Sequence, residues 1–79
     1  MEKVIRIYEF KVSTKKGFEH ITLRETNKGK IYGDYILDKE WFVIEPMNYG
    51  EFLRFVKIIK NERMRKDILN IDNWYEVEE

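Results

Sequence analysis

The hydrophobic period changes once along these 79 residues, and it changes at the single proline, Pro46. Before Pro46 apolar residues recur at every second position, the repeat of a strand; after it they recur at three and four, the repeat of a helix. In residues 3–13, Val4, Tyr8, Phe10 and Val12 share one side, interrupted by Arg6, while Ile5, Ile7, Glu9, Lys11 and Ser13 share the other. Residues 18–26 repeat the pattern, with Ile21 and Leu23 opposed to Phe18, His20, Thr22 and Arg24. Two further runs follow, 31–37 (broken by Gly33-Asp34) and 41–45. The connections at 14–17, 27–30 and 38–40 carry turn residues and are short enough only for antiparallel neighbours. The pattern predicts a four-stranded antiparallel meander.

Asn48 followed by Glu51 fits a capping box, with Met47 and Phe52 placed for a hydrophobic staple. Phe52, Phe55, Val56 and Ile59 then form one apolar helical face. Lys57, Lys60, Arg63, Arg65 and Lys66 crowd the second half, where cations suit the helix dipole, so the cluster reads first as a solvated helix end. That helix has to lie across Tyr8, Phe10, Val12, Ile21 and Leu23, because no other element is there to cover them. The expected architecture is α+β, a ββββα domain over residues 1–67 with one C-terminal helix on one face.

The formal net charge of zero hides a division. Residues 1–66 hold all 15 Lys and Arg against ten acids, and residues 67–79 hold five acids and no base. A basic body with an acidic tail points to a polyanionic partner, or to a tail that screens such a surface. The tail over 68–79 is also apolar, with Ile68, Leu69, Ile71, Trp74, Tyr75 and Val77, so it is expected to dock, on the chain's own helix or on a second subunit. Seventy-nine residues make one domain with a marginal core, which favours a homodimer. The longest apolar run is four residues, Trp41 to Ile44, and the N-terminus lacks the apolar centre of a signal peptide. The expectation is a soluble, cytoplasmic chain without membrane association.

The chemistry-bearing residues are few. There is no cysteine, hence no disulfide, no thiolate nucleophile and no Cys-based metal site. His20 and Ser13 are the only histidine and serine, with no acid obviously placed to orient the histidine, so no catalytic residue is assigned. No cluster has metal-ligand spacing, Gly29 and Gly33 lack a phosphate-loop context, and no cofactor is expected. The wet side of the sheet is richer. With Ile21 and Leu23 turned to the helix, Lys11, Phe18, His20 and Arg24 are left on the open side, with Lys15 and Lys16 at one hairpin and Lys28 and Lys30 at the next. Flat rings beside cations on an open sheet suit unpaired nucleic acid, whose bases stack while its phosphates meet the cations.

Tyr8-x-Phe10-x-Val12 followed by Ile21-x-Leu23-x-Glu25 resembles the opening hairpin of a PUR repeat, the purine-rich-element-binding (Pur-alpha) family. Phe42-Val43-Ile44-Glu45-Pro46 and Glu51-Phe52 resemble that repeat's last strand and the start of its helix, so the likeness covers about residues 4–60. Whirly-like single-stranded-DNA-binding coactivators share a similar layout. The resemblance implies ββββα units that pair into a module for single-stranded DNA or RNA. It places His20 where the family often has a stacking aromatic, with Lys11 and Arg24 on the same face and Arg6 near the basic residues before the first aromatic. The family's basic cluster before strand one is reduced to Lys3 and Arg6, and Gly17 sits one residue early, both of which lower the expected purine preference.

The favoured function is therefore a non-catalytic single-stranded nucleic-acid-binding module. The alternative is a protein-interaction or assembly module dimerising through the helix and the tail, where Trp41, Trp74 and Tyr75 supply interface-type side chains. A small-ligand or enzymatic domain is third, for want of a convergent polar set.

Overall fold

Consecutive antiparallel pairing builds one sheet from β1 (Val4–Thr14), β2 (Gly17–Thr26), β3 (Ile31–Leu37), β4 (Glu40–Met47) and β5 (Tyr75–Glu76), in the order β4-β3-β2-β1-β5. The computed structural model describes residues 1–15 and 17–77. Lys16, one of the cations assigned to the open face, lies outside the described residues. The cross-strand register joins Tyr8, Leu23, Gly33 and Ile44 in one row and Phe10, Ile21, Tyr35 and Phe42 in the next. These rows form the side that the helices cover. Tyr8, Ile21 and Leu23 have no exposed surface there.

Three residues explain how β3 meets its neighbours. Asp38 and Lys39, between β3 and β4, both have positive φ (50° and 74°), as a two-residue type I′ turn requires. Gly33 was expected to interrupt its strand, yet β3 runs through it. A Cβ there would sit 1.9 Å from the Thr22 carbonyl oxygen, so only glycine lets β3 lie this close to β2.

The expected four strands and one helix are corrected to five strands and two helices. α1 (Tyr49–Ile58) begins at the Asn48–Glu51 capping box, with Asn48 Oδ1 accepting from the Glu51 amide and Glu51 Oε1 from the Asn48 amide. It ends at Ile59, whose backbone turns extended. α2 (Glu62–Leu69) then starts afresh on Asn61, which accepts from the Met64 amide at 3.0 Å. Arg65 Nη1 donates to the Ile59 carbonyl at 2.8 Å, so one cation of the basic run caps the first helix instead of facing solvent. Arg63 lies over the Phe10 ring and Lys66 pairs with Glu62. The change of direction lets α2 bury Met64 and Ile68, which a straight continuation of α1 would not place on the same core.

The fifth strand comes from the acidic tail. After a 3₁₀ turn at Ile71–Asn73, Trp74 packs against Tyr8 (ring centroids 5.4 Å apart) and edge-on to Phe52, and its Nε1 donates to the Ile68 carbonyl. Tyr75 and Glu76 then pair with Ile7 and Arg6 of β1. Trp74, which the alternative reading offers to a partner, thus packs within the chain, as does Ile68.

Two carboxylates gather polar contacts on the covered side. The Tyr8 hydroxyl donates to Asp67 Oδ2 at 2.7 Å, and Asn73 Nδ2 donates to Asp67 Oδ1. Glu19, 7% exposed, accepts from the Tyr35 hydroxyl and, at 2.9 Å, from Asn61 Nδ2. Among the described residues no helix is long and apolar enough to cross a membrane.

Candidate nucleic-acid interface

The side of the sheet away from the helices is set by the same register. One row across it reads Tyr75, Ile7, Arg24, Tyr32; the next reads Glu9, Thr22, Asp34, Val43; the third reads Lys11, His20, Ile36, Trp41; and Ser13 and Phe18 close the far end. Strand alternation alone puts these side chains on one surface.

Lys11, Phe18, His20 and Arg24 all fall on this surface, and Phe18 is 45% exposed. The flanking lysines divide between its two ends. Lys15 sits at the β1–β2 turn, at the end of the sheet where Ser13 pairs with Phe18. Lys28 and Lys30 sit in the β2–β3 turn, where Thr26 Oγ1 accepts from both of their amides at 3.3 Å. A ten-residue strand separates these ends by about 30 Å. The assigned residues therefore make a central patch with a basic group at each end, not one cluster.

Three rings join the patch that sequence reasoning did not place there. Trp41 is 63% and Tyr75 51% exposed, and the Arg24 guanidinium carbon lies 5.8 Å from the centre of the Tyr32 ring. Tyr32 and Trp41 were legible in principle: continuing the alternation of β2 across an unbroken Gly33 puts both outward. Tyr75 was not, because nothing local says that a tail will add a strand beside β1.

His20, expected to stack on a base, has close polar neighbours on this surface. Its Nε2 lies 3.2 Å from Thr22 Oγ1 and 3.6 Å from Glu9 Oε2, so the ring is held by its neighbours. Glu9 also accepts from the Tyr75 hydroxyl at 3.1 Å. That phenol is held above its usual range, by desolvation first and then by the Glu9 carboxylate, with Arg24 opposing. Glu9 and Asp34 balance Lys11 and Arg24 across the centre. The middle of the face thus offers rings with little net charge, with Lys15 at one end of the sheet and Lys28 and Lys30 at the other.

Among the described residues no group of three or more His, Asp or Glu side chains is placed to hold a metal ion. Compared with known proteins, the chain matches no family model, no curated protein and no solved structure.

Proposed function

We propose that this chain is a non-catalytic, cytoplasmic binding module for single-stranded DNA or RNA, with the uncovered face of the sheet as its platform. One observation carries the reading: four rings (Phe18, Tyr32, Trp41 and Tyr75) share the side opposite the helices with Lys11 and Arg24. Unpaired bases stack on such rings at about 1–3 kcal/mol each, whereas a duplex hides its base faces from them. Lys15, Lys28 and Lys30 at the ends are placed to meet phosphates. The likeness of the strand pattern to PUR repeats supports the same reading.

The central acids limit the electrostatic share. With about three phosphates contacted, log K falls with log salt at a slope near −2, at about −0.7 per contact. Trp41 fluorescence titrated with single-stranded and duplex oligonucleotides at two salt concentrations tests this. Single strands quench, duplexes do so far less, and Trp41→Ala, followed by anisotropy of a labelled strand, weakens binding about tenfold or more. Lys28→Ala with Lys30→Ala weakens all sequences alike, since phosphates carry no base information. Absence of binding at low salt, or equal affinity for duplex, rejects the proposal.

A further inference from the structure

On the helix side of the sheet the two helices leave part of the inner surface bare. A groove of about 690 Å³ runs between α1 and the inner side of β3 and β4, walled by Ile21, Leu37, Phe42, Ile44, Phe55 and Ile59. That volume lies within the range of small-molecule sites, which combine apolar walls with a few converging polar groups. Its polar lining is Glu19, Tyr35 and Asn61, drawn from β2, β3 and the α1–α2 junction, together with Glu45 and Lys60, both exposed to solvent and neither bonded to Glu19.

Glu19 is the unusual member. It is 7% exposed and lines the groove, yet no Lys, Arg or His nitrogen of the described residues lies within 4.0 Å of it. Its two oxygens each accept one hydrogen bond, from the Tyr35 hydroxyl and from Asn61 Nδ2. A carboxylate has about four lone-pair positions, so acceptor capacity is left over, and both present donors are neutral. Buried carboxylates are ordinarily paired with a cation, because hydrogen bonds from neutral donors do not cancel the charge.

We propose that this groove binds a small amphiphilic cation, a primary ammonium on an apolar body, with the ammonium on Glu19 and the body along Phe42, Phe55 and Ile59. The walls supply the apolar contact, and Glu19 supplies the choice of head group. The groove opens on the face opposite the nucleic-acid platform, so the two proposals fail independently.

The test uses the full chain and three probes that share an eight-carbon tail: octylammonium, octanol and octanoate. Calorimetry gives the affinities, and amide and methyl NMR shifts locate the bound molecule. Octylammonium binds at least about tenfold more tightly than octanol, octanoate binds least, and the shifts centre on Leu37, Phe42 and Ile59. Glu19→Gln keeps an acceptor for its neighbours and removes the preference for the ammonium, leaving octanol unchanged. Ile58 is 75% exposed at the groove, so Ile58→Lys is tolerated by the fold and lowers octylammonium affinity about tenfold through like-charge repulsion. Equal affinity for all three probes, or shifts centred elsewhere, overturns the proposal. So does a wild-type dimer that ignores all three probes and that Ile58→Lys converts to monomer, since a second copy would then fill the groove.

Discussion

Tyr8 ties the sheet to the last helix through a single hydroxyl. Its side chain has no exposed surface, and its proton is shared with Asp67, 59 positions later in the chain. Desolvation, then the hydrogen bond to Asp67 and that residue's charge, hold the phenol well above its ordinary value of 10.0. A group whose pKa is raised by folding contributes stability that is complete below the unfolded value and lost as pH rises beyond it. Stability from this contact is therefore constant up to about pH 10 and declines above. Tyr8→Phe keeps the ring and removes the bond to a charged acceptor, costing about 1.5–3 kcal/mol at neutral pH. The gap between the denaturant midpoints of wild type and variant should be constant from pH 7 to about 10 and should narrow from about 10 to 11. Parallel curves would show that the hydroxyl does not contribute in this way. That Tyr8 points inward was legible from the alternation of Val4, Tyr8, Phe10 and Val12. Its partner was not, because hydrogen bonds between residues so far apart leave no periodic trace. Gly33 was misjudged for a related reason: a glycine that interrupts a strand and one that admits a neighbouring backbone look alike in sequence.

Among the elements, the capping box at Asn48 was readable because cap and reciprocating acid lie three residues apart. The break at Asn61 obeys the same chemistry, with Asn61 accepting from the Met64 amide and Glu62 in the first turn. It was hidden because Lys57 to Lys66 also fits one helix with a basic end, and intrinsic propensity does not separate one long helix from two short ones. Tertiary contacts decide between them. Asn61 also donates to Glu19, and Met64 and Ile68 reach the core only if α2 changes direction. Asn61→Ala is expected to cost about 1–2 kcal/mol for the lost cap, with more added for the Glu19 bond. Asn61→Ser retains the cap oxygen and should recover most of the cap share while leaving Glu19 with Tyr35 alone. Thermal unfolding of the pair, followed by far-ultraviolet circular dichroism, separates the two contributions. Equal loss in both variants would mean that capping is not what starts α2.

For the molecule as a whole, the division of charge takes on a location. Of the acidic C-terminal stretch, Tyr75 and Glu76 lie beside β1, with Glu76 opposite Arg6 and Tyr75 against Glu9 on the open face. Anchoring of that stretch rests on Trp74, which is wedged between Tyr8 and Phe52, whereas Tyr75, Glu76 and Val77 are all exposed. The strand can therefore be removed without opening the core. Truncation after Trp74 deletes three acids, Glu76, Glu78 and Glu79, and one ring, Tyr75. The two losses act oppositely on a single strand of nucleic acid: less repulsion of phosphates, one stacking surface fewer. Salt distinguishes them, because repulsion is screened over about 10 Å at 0.1 M whereas stacking is not. If repulsion dominates, the truncated chain binds oligonucleotides up to about tenfold more tightly at low salt, and the advantage shrinks as salt rises. Tyr75→Phe in the full chain keeps the ring and the acids but releases Glu9, so an unchanged affinity there assigns the gain to the deleted carboxylates. A truncation that weakens binding equally at every salt concentration would instead make Tyr75 part of the platform and the acidic end a bystander.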